Sequence, residues 1–548
     1  MQTLRPAEYQ PELPLDRVIV KDEPSDEAVP MDVLFVGAGP AGLAGAIELA
    51  RLAKEAGGSL SELEIGVLEK AAALGEHCLS GAVVNPRPFR ELFPDVGESE
   101  LPFRGRAPRD RVYLLTASRA TRIPTPPSMH NKGNFVASIC EIVRWLGERA
   151  EGLGVNVFTG FPADSLLVDG SRVLGVRTTP VGLDRDGNPG SGYMPPTDVT
   201  AKVTVLCEGT RGTLTQGFLR WQQIESANPQ IYALGVKELW KVERPLQSVI
   251  HTLGWPLPRN AFGGSWLYPM SEDLVSLGLV VGLDYRQHSL DVHVLLQMLK
   301  RHPLVAAYLE GGELLEWGAK TIPEGGYYAL PERLHGDGVL IAGDAAGTVD
   351  VPSLKGIHYA VQSGVFAART VFRALERSDT SAAGLADYDA LIRDSFIGQD
   401  LYRTRNMRLA FKAGFFGGGL KAALMAATRG VVFGSRIPVP SDAEEPRDVV
   451  PPLQFNPDGV RSLSKVDAVF RSGNTTRDDI PSHLIVGPEV PPDLADLYAH
   501  LCPAGVYERD GDRLVVNAPN CIDCKATDVL GPRWTPREGG SGPAYKRM

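Results

Sequence analysis

Three cysteines near the carboxyl end of the chain have the spacing of a metal centre. Cys502 stands in HLCPAGVYE, and Cys521 and Cys524 form a Cys-x2-Cys pair in NAPNCIDCKATD, whereas the other three of the six cysteines are scattered. Thiolates spaced in this way hold iron–sulfur clusters or zinc. A two-residue hairpin turn predicted at Asp510-Gly511 folds Cys502 back toward Cys521. The tail therefore predicts a metal site, with zinc and three inert thiols as alternatives to an iron–sulfur cluster.

A glycine triplet near the amino end predicts a dinucleotide site. Gly37, Gly39 and Gly42 follow a predicted buried strand at 33–36 and open a helix. In this pattern the first glycine makes the turn, the second lets backbone N–H groups approach a pyrophosphate, and the third allows close helix–strand contact. The amino end of the helix then faces the phosphates. A second predicted strand ends at Glu69, where a ribose hydroxyl needs an acceptor.

Two later segments indicate that this dinucleotide is FAD. Each is a predicted strand that runs into a glycine turn: VTVLCEGTRG contains Glu208 and Gly209, and GVLIAGDAAGTVD contains Gly343 and Asp344. The second segment resembles the one that contacts the ribityl and pyrophosphate groups of FAD in flavoproteins of the glutathione-reductase and hydroxybenzoate-hydroxylase type. Asp344 is equally suited to be a helix N-cap. Three separate segments around one cofactor imply a flavin domain that is discontinuous in sequence.

The overall composition limits the class of protein. The 548 residues carry a formal charge of −10, with 43% hydrophobic and 22% charged residues. A phosphate backbone demands a basic footprint, so nucleic-acid binding is not expected. Six cysteines without a pairing pattern favour a reducing compartment. Because the sequence shows neither a secretory signal pattern nor an uncharged stretch of 18 residues, we expect a cytoplasmic protein that can still lie against a membrane.

One stretch reverses the charge of the chain. Residues 401–441 contain no Asp or Glu and seven basic residues, namely Arg403, Arg405, Arg408, Lys412, Lys421, Arg429 and Arg436. Apolar side chains lie between them. This pattern is typical of a segment lying in the plane of a membrane surface, and also of a core helix pair whose long basic side chains reach solvent. The glycines at 417–419 are expected to break it into two pieces too short to span. An acidic, Pro-rich linker follows from 442.

Taken together, these motifs resemble the electron-transfer flavoprotein:ubiquinone oxidoreductase family nearly from end to end. The strings that carry the resemblance include VGAGPAGLAGAIELA, LGEHCLSGAVVNP, FGGSWLYP, LEGGELLEWGAKTIPEGGYYALP, VPSLKGIHYAVQSG, CPAGVYE and EGGSGPAY. The resemblance implies an α/β fold, α+β overall, with a glutathione-reductase-like FAD-binding Rossmann domain, an interleaved quinone-binding β-sheet domain and a C-terminal ferredoxin-like iron–sulfur domain. It also implies a membrane-associated enzyme that takes electrons from electron-transfer flavoprotein and reduces membrane quinone, either ubiquinone or menaquinone, at the cytoplasmic face of the cell membrane.

The resemblance also suggests boundaries and further site residues. The expected parts are an irregular segment at 1–29, a flavin domain at 30–235 plus 331–400, a quinone domain at 236–330, a membrane-surface segment at 401–441 and an iron–sulfur domain at 442–548. The glycines that approach the quinone in the family fall on Gly263 and Gly264, where a simple β-bulge or turn is the alternative. The family's membrane helix falls around Met407 to Met425, and a second membrane lip falls near Tyr113 to Pro127.

The cysteine pattern departs from the family at one position. The family has a fourth cysteine in C-x-x-C-x-x-C, and this chain has Thr527 there. A hydroxyl is a poor ligand for iron compared with a thiolate. The expected outcomes are a [4Fe-4S] cluster whose fourth iron takes Thr527, Asp523, Asp528 or water, a [3Fe-4S] cluster, or no cluster. If a cluster is held, losing a negative thiolate should change its reduction potential.

Two other functions remain open at this stage. One is a related FAD-dependent reductase of lipid-like substrates, similar to geranylgeranyl reductases. The other is a docking scaffold for carrier flavoproteins at the membrane, whose cluster no longer works because of Thr527. No acid–base catalyst is assigned, because the redox cofactors carry the chemistry. His251, His335 and His358 are therefore expected to be structural.

Overall fold

The computed structural model of the chain describes residues 3–428 and 430–548. The strands in this part of the chain are β1 (Thr3–Leu4), β2 (Ile19–Val20), β3 (Val29–Val36), β4 (Ile65–Glu69), β5 (Val83–Val84), β6 (Gly105–Arg106), β7 (Asp110–Leu115), β8 (Ala120–Ile123), β9 (Phe135–Val136), β10 (Asn156–Thr159), β11 (Ala163–Asp169), β12 (Arg172–Thr178), β13 (Val181–Leu183), β14 (Pro189–Met194), β15 (Asp198–Leu206), β16 (Tyr232–Lys241), β17 (Val249–Gly254), β18 (Gly263–Pro269), β19 (Leu274–Gly282), β20 (Glu313–Pro323), β21 (His335–Gly336), β22 (Val339–Ile341), β23 (Arg447–Asp448), β24 (Leu484–Ile485), β25 (Tyr507–Asp510), β26 (Arg513–Val516) and β27 (Arg533–Trp534).

The helices complete the description of the elements. The α-helices are α1 (Leu15–Val18), α2 (Pro40–Ala56), α3 (Arg87–Leu92), α4 (Ile139–Gly152), α5 (Thr213–Trp221), α6 (Val292–Lys300), α7 (Pro303–Leu309), α8 (Ile357–Glu376), α9 (Ala382–Leu385), α10 (Asp387–Asp394), α11 (Phe396–Thr404), α12 (Phe415–Ala427), α13 (Lys465–Phe470), α14 (Pro492–Leu501) and α15 (Ala526–Leu530). Short 3-10 helices cover Pro6–Glu8, Gly58–Glu62, Glu98–Glu100, Pro127–Met129, Gly326–Ala329, Gly343–Ala346, Leu409–Ala413 and Ala518–Asn520.

A mixed sheet forms the first half of the molecule. Its path is β10-β4-β3-β15-β12-β11-β2, with β22 beside the second half of β15. The strands β10, β4, β3, β15 and β22 run parallel, and β12 and β11 continue the sheet antiparallel. The predicted strand at 33–36 is the buried end of β3. Parallel strands with helices on their faces are the doubly wound architecture that binds dinucleotides at the carboxyl ends of the strands.

Helices α2 and α8 pack together over this sheet at very short range. A Cβ built on Gly364 of α8 would lie 2.0 Å from the carbonyl oxygen of Ala41, and one on Gly45 of α2 would lie 2.5 Å from the ring of Phe35. Glycine is therefore required at both positions for this packing. The close contact fixes the amino end of α2 beside the start of α8, so two distant segments meet at the edge where the cofactor is expected.

A second sheet stands apart from the first and is almost entirely antiparallel. Its order is β20-β16-β19-β18-β17-β7-β8, and the pair β17–β7 is its parallel contact. The strands β7 and β8 lie at 110–123, inside the span expected for the flavin domain, so the sheet reaches beyond the expected boundary at 236. Long-range pairing of this kind leaves no local signal in the sequence, which explains the difference.

The amino-terminal segment is less irregular than expected. Strand β2 pairs with β11 at the edge of the first sheet, and β1 pairs with β23 near residue 448. Each is a two-residue strand, too short to stand out by its hydrophobic pattern. The segment therefore ties together parts of the chain that are far apart in sequence.

The acid-free stretch folds differently from the expectation. The glycines at 417–419 lie inside α12 and do not break it, whereas Gly414, with φ of +86°, separates the 3-10 helix Leu409–Ala413 from α12. A Cβ on Gly418 would lie 2.5 Å from the Cα of Phe411, so this glycine lets the two pieces pack closely. Among the described residues, no helix is both long enough and apolar enough to cross a bilayer.

The carboxyl-terminal unit, residues 442–548, packs onto the second sheet and shares its core. Leu494, Leu497 and Leu501 of α14 belong to the same buried apolar cluster as Trp317 of β20. The predicted hairpin is confirmed as β25 and β26, but Asp510 pairs with Arg513, so the turn residues are 511–512, one position later than expected. The difference follows from the positive φ of Gly511, +59°, which suits the first turn residue.

Candidate functional site

The glycine triplet has three different structural roles. A Cβ on Gly37, whose φ is +110°, would lie 2.4 Å from the carbonyl oxygen of Cys207, and one on Gly42 would lie 2.1 Å from the carbonyl oxygen of Gly37. These two glycines are thus required by the chain itself. A Cβ on Gly39 would meet nothing within 4 Å, so Gly39 leaves space in front of α2. That open space at a helix amino end is where a pyrophosphate is expected.

Two carboxylates hold the loops around this space. Glu69, at the end of β4, accepts the backbone N–H of Ala38 at 3.1 Å and that of Ala71 at 2.9 Å. Glu208 accepts the backbone N–H of Leu214 at 3.1 Å and that of Thr215 at 2.7 Å, and so satisfies the free amino end of α5. The expected ribose acceptor therefore also has a structural function that the sequence did not reveal.

The Gly343-Asp344 segment lies beside the same space. The backbone N–H of Gly343 donates to the Ser363 hydroxyl at 2.8 Å, which fixes the segment on α8. Asp344 is not a helix N-cap, because it lies within the 3-10 helix Gly343–Ala346, whose N-cap position is Ala342. Burial raises the pKa of Asp344 to about 6, and the positive charge of Lys320 opposes this shift. A buried, weakly paired carboxyl group of this kind suits a polar ligand site.

One cavity of about 970 Å³ connects these segments. Its lining includes the predicted FAD-site residues Gly37, Gly39, Glu69, Glu208, Gly209, Gly343 and Asp344. Gly42 is not in the lining and acts through packing instead. The volume lies at the upper end of what ligand sites provide. Together with the space in front of Gly39, it gives an adenine dinucleotide the room it needs, so the residues fit FAD, and their individual contacts to it stay predictions.

The cavity extends to the second sheet and to the acid-free stretch. Gly263 and Gly264 line it, and so do Met407, Gly419 and Ala422. Both β18 glycines sit in a regular ladder, opposite Val281 and Val280, so the structure does not support the bulge or turn interpretation. Gly263 has φ of +155°, and a Cβ on it would lie 2.1 Å from the carbonyl oxygen of Val280. The glycine pair thus lines the cavity without side chains, and its role in quinone binding stays a prediction.

The three histidines have mainly structural surroundings. His335 lies 3.2 Å from a carboxylate oxygen of Asp389, and the ring of His358 packs against Tyr359 at a centroid distance of 3.8 Å. His251 also lines the cavity, with Nδ1 3.4 Å from the Tyr268 hydroxyl. Burial lowers the pKa of His251 to about 3, with a smaller contribution from the positive charge of Lys355. At neutral pH this ring is therefore uncharged.

The three clustered cysteines are buried, and each receives backbone donors. The N–H groups of Ala504 and Val506 donate to Cys502, that of Asp523 to Cys521 and that of Ala526 to Cys524. Burial raises the pKa of all three thiols, to about 12 for Cys521, and these donors lower it. N–H groups aimed at sulfur stabilise thiolates and are typical of iron–sulfur sites.

The spacing of these thiols favours a cluster over a single ion. Cys502, Cys521 and Cys524 belong to one buried cluster, so the three thiols lie in the same region. Among the described residues, two groups have ligand atoms that all lie within 4.8 Å of one another, namely His483–Cys521–Asp523 and His288–Asp493–Asp496. The three clustered cysteines do not form such a group. Zinc needs its ligands about 2.3 Å from one point. The wider arrangement fits a sulfide-bridged cluster better than zinc.

The cysteine loop forms part of the cavity wall. The backbone N–H of Thr321, a lining residue, donates to the carbonyl of Cys524 at 2.9 Å. Lys320 donates to the carbonyl of Asp523 at 3.1 Å, and Lys70 forms an ion pair with the carboxylate of the same aspartate. Lys70 directly follows Glu69, so one ion pair joins the predicted flavin site to the cysteine loop.

Sequence reasoning missed the cations around the cysteine loop. Lys70, Lys320 and Lys525 line the cavity, and Arg537 donates to the Asp523 carboxylate at 2.9 Å. These residues come from three separate regions of the chain. The nearest signals in the sequence are the positions of Lys70 beside Glu69 and of Lys525 beside Cys524, and nothing in the spacing indicates that Lys320 and Arg537 join them.

Comparison with known proteins agrees with the geometry. Residues 232–322 match the family model described as ETF-QO, ubiquinone-binding, and residues 459–546 match the one described as Electron transfer flavoprotein-ubiquinone oxidoreductase, 4Fe-4S. The first match covers most of the second sheet. The second covers all three clustered cysteines and Thr527.

Two solved structures share the fold at low sequence identity. A geranylgeranyl bacteriochlorophyll reductase-like protein from Thermoplasma acidophilum has a TM-score of 0.57 and 20% identity, and covers 73% of this chain and 91% of that chain. A flavin-dependent brominase variant has a TM-score of 0.52 and 18% identity, and covers 73% of this chain and 94% of that chain. These neighbours confirm the FAD-binding Rossmann-type architecture.

Three relatives match almost the whole chain, and each is called an electron transfer flavoprotein-ubiquinone oxidoreductase. The mitochondrial protein of Arabidopsis thaliana is 37% identical, covering 96% of this chain and 86% of its own length. The protein of Pseudomonas aeruginosa is 36% identical, and the match covers 95% of this chain and 100% of that protein. The mitochondrial protein of Homo sapiens is 36% identical, and the match covers 94% of this chain and 89% of that protein. This chain therefore belongs to the electron transfer flavoprotein-ubiquinone oxidoreductase family.

Proposed function

We propose that this chain takes electrons from reduced electron transfer flavoprotein and passes them by way of a [4Fe-4S] cluster and FAD to ubiquinone at a membrane surface. The observation that carries the proposal is the cavity of about 970 Å³. It reaches from the glycine triplet to Gly263 and Gly264, and Thr321 in its wall is hydrogen-bonded to Cys524. One volume thus adjoins all three redox sites.

The chemistry of the junction follows from the cofactors. When bound, FAD holds one or two electrons and an iron–sulfur cluster holds one, which suits a junction between a single-electron carrier and a two-electron quinone. The protein supplies position and charge. Gly37, Gly39 and the start of α2 are proposed to hold the pyrophosphate, and Glu69 the ribose. Asp344 and Glu208-Gly209 complete the site on the side of β15 and α8.

The quinone is proposed to bind against Gly263 and Gly264. At these positions no side chain separates the ring from the backbone of β18, and the inner face of α12 supplies Gly419 and Ala422 as small neighbours. Small residues keep a path open between the cavity and the outside of α12. A lipid-soluble substrate could then reach the flavin without passing through water.

The membrane contact is proposed to lie on the outer side of α12 and the turn after it. The exposed apolar side chains there are Leu420, Leu424, Val431, Val432 and Phe433, with Val431 78% exposed. Burying such side chains contributes roughly 1.5 to 3 kcal/mol each. The hairpin β7–β8, exposed at Arg119 and Arg122, is proposed as the second contact. The association is peripheral or monotopic, on the cytoplasmic face, where free thiols suit the reducing compartment.

Most of the seven basic residues of the acid-free stretch do not serve this contact. Arg408 binds Glu324 at 2.6 Å and Asp284 at 2.9 Å, and Lys412 binds Asp284 at 3.0 Å. Arg405 donates to backbone carbonyls, including that of Gly430 at 2.9 Å. Arg403 also pairs with Asp400 at 3.1 Å, and Arg436 donates to the Ala227 carbonyl. The expected headgroup role thus falls mainly on Lys421, while Arg429 lies outside the described residues, as do the side chains of Phe415 and Phe416.

The membrane contact can be tested by vesicle flotation. The triple variant Leu420→Ser, Leu424→Ser, Val431→Ser should bind vesicles of phosphatidylcholine and anionic phosphatidylglycerol at least about 10-fold more weakly. The control is Val460→Ser, Phe470→Ser, two side chains of the carboxyl-terminal unit that are 85% and 84% exposed. Equal binding of wild type and the triple variant would contradict this assignment.

The function can be tested by steady-state turnover. Full-length protein loaded with both cofactors should reduce a short-chain ubiquinone when given reduced electron transfer flavoprotein, and a short-chain menaquinone run in parallel identifies the preferred acceptor. Gly264→Val should raise the KM for quinone about 10-fold, because a Cβ at this position would lie 2.9 Å from the Thr252 carbonyl oxygen and displace the stretch of β18 that lines the cavity. A docking scaffold, which Thr527 keeps under consideration, would bind the carrier without any quinone-dependent turnover.

A further inference from the structure

The structure distinguishes among the ligands that the sequence left open at the fourth corner of the cluster. Asp523 lies between Cys521 and Cys524 in sequence, but its carboxylate is already committed. One oxygen accepts Trp534 Nε1 at 3.0 Å and an Arg537 guanidinium N–H at 2.9 Å, and the other forms the ion pair with Lys70. Turning it to an iron would leave the buried Arg537 and the partly buried Lys70 without this partner, which costs several kcal/mol.

Asp528 is committed in the same way. Arg211 binds its carboxylate at 2.6 Å, and the backbone N–H of Trp534 donates to the other oxygen at 3.0 Å. The side chain is 2% exposed, so it has no freedom to change partners through solvent. Both aspartates therefore act as structural anchors of the loop and of α15.

Thr527 is the remaining protein side chain among the candidates, and its hydroxyl has one long hydrogen-bonding contact. It lies in the first turn of α15, three residues after Cys524, and is 9% exposed. Its Oγ1 stands 3.4 Å from the hydroxyl of Tyr507, a long contact for two hydroxyl groups. Tyr507 belongs to the same buried cluster as Cys502, Cys521 and Cys524, so this pair of hydroxyls lies beside the three thiols.

From this geometry we propose that Cys502, Cys521 and Cys524 hold three corners of the cluster, and that the fourth iron faces Thr527 without a thiolate and is exchangeable. The proposal rests on the proposed function, because it assumes the family's cluster. A hydroxyl is a much poorer ligand for iron than a thiolate, so this iron is the one that leaves first. The site thus interconverts between four-iron and three-iron forms.

The iron loss can be written as a balanced step with ferricyanide as the oxidant. The [4Fe-4S]²⁺ cluster gives one electron to ferricyanide, which becomes ferrocyanide, and releases one Fe²⁺, leaving [3Fe-4S]⁺ on the three cysteines. In the reverse step dithionite supplies one electron and added Fe²⁺ refills the corner beside Thr527. No sulfide is gained or lost in either direction.

The test compares full-length holoprotein, purified without oxygen, as wild type, Thr527→Cys, Thr527→Val and Thr370→Cys. Thr370 is a matched control, since it is a buried helical threonine, 1% exposed, whose hydroxyl donates to the Phe366 carbonyl at 3.0 Å. Each protein is treated with ferricyanide and EDTA, and iron, acid-labile sulfide and the EPR spectrum are measured before and after. Flavin content and the melting temperature check that each variant is folded.

Wild type, Thr527→Val and Thr370→Cys should each lose about one iron per chain, keep their sulfide, and develop the EPR signal of a three-iron centre. Thr527→Cys should lose iron at least about 10-fold more slowly. Fe²⁺ and dithionite should restore the wild-type four-iron spectrum. Wild type that keeps all its iron as well as Thr527→Cys does would overturn the proposal while leaving the proposed function intact. Protein that cannot be loaded with iron at all would overturn both.

Discussion

The flavin cradle and the cysteine site solve the problem of holding a redox group in opposite ways. The cradle is made of backbone and of missing side chains, with Gly37 and Gly42 permitting close packing and Gly39 leaving space. The cysteine site is made of side-chain donor atoms held by backbone N–H groups. A site built from backbone is damaged when a substitution adds a side-chain atom to a glycine. A metal site is changed when one of its ligand residues is replaced. Thr527 shows the second case, because it fits the fold while altering the chemistry.

The two sites are nevertheless built as one unit. The ion pair of Lys70 with Asp523 and the hydrogen bond from Thr321 to Cys524 both cross from the cavity to the cysteine loop. The carboxyl-terminal unit also shares its apolar core with the second sheet. We therefore expect changes at the cysteine loop to affect the flavin side mainly through charge and contact at this wall.

Removing one thiolate should have the largest effect. Cys521→Ser is expected to abolish the cluster and to lower carrier-driven quinone reduction roughly 100-fold or more, because two cysteines cannot hold it. Bound flavin should remain. The measurement is iron content together with turnover. Cys140→Ser, in a buried thiol of α4 that donates to the Cys78 carbonyl at 3.2 Å, is the control and should keep its iron. If Cys521→Ser kept its full iron content, the claim that the cysteine site depends on each of its ligand side chains would be wrong.

Adding one carbon to the cradle should have the next largest effect. Gly39→Ala meets no neighbouring atom within 4 Å, so the chain should fold normally, but the new methyl group occupies the space proposed for the pyrophosphate. The dissociation constant for FAD should rise roughly 10-fold to 100-fold. Fluorescence titration of flavin-free protein measures it. Gly152→Ala, which also meets nothing within 4 Å, should bind FAD as wild type does. Unchanged affinity in Gly39→Ala would place the phosphates elsewhere.

Breaking the ion pair between the two sites tests their coupling. Asp523→Asn leaves Lys70 and Arg537 without their buried partner, and should lower the free energy of unfolding by roughly 3 kcal/mol. Thermal unfolding of the full chain, followed by circular dichroism, detects the loss. Asp496→Asn is the matched surface change, since its pair with Arg509 at 2.7 Å is about one-third exposed, and should cost under about 1 kcal/mol. If both variants lost a similar free energy of unfolding, the ion pair between the cavity wall and the cysteine loop would have no special role.

The smallest expected effect near neutral pH is a pH dependence at the cavity, which grows as the pH falls. Burial lowers the pKa of His251 to about 3, below its ordinary value of about 6.5. The unfolded chain therefore binds this proton first, so the stability is fully present above about pH 6.5 and is lost as the pH falls toward 3, by up to about 1.4 kcal/mol per unit. His251→Gln should make this acid slope shallower in melting experiments. Equal acid slopes in wild type and His251→Gln would contradict the prediction.

Local motifs predicted much of the site. The glycine triplet, the strand end at Glu69 and the Cys-x2-Cys pair are short patterns whose geometry follows from a few neighbouring residues, and the structure places each at or beside the cavity. Residue contacts over long distances were not predictable in this way. Lys70 and Asp523 are 453 residues apart, and strands β7 and β8 join a sheet whose other members begin at residue 232.

Errors in the prediction have identifiable physical causes. The glycines at 417–419 indicated a helix break, but a glycine also allows close packing, and Gly418 serves that purpose against Phe411. The basic residues of the same stretch indicated headgroup contacts, but Arg408 has two carboxylate partners that lie 124 and 84 residues earlier in the chain. Composition alone cannot distinguish a cation that meets lipid from one that pairs inside the protein.

The central claim is that one chain couples a one-electron carrier to a two-electron quinone. It is tested most directly by rapid mixing without oxygen, in which protein loaded with both cofactors meets reduced electron transfer flavoprotein and then a short-chain ubiquinone, while the absorbance of its own flavin is followed. We predict that the flavin bleaches after the first addition and recovers its colour after the second. Flavin that stays oxidised with the carrier, or stays bleached with the quinone, would contradict the account.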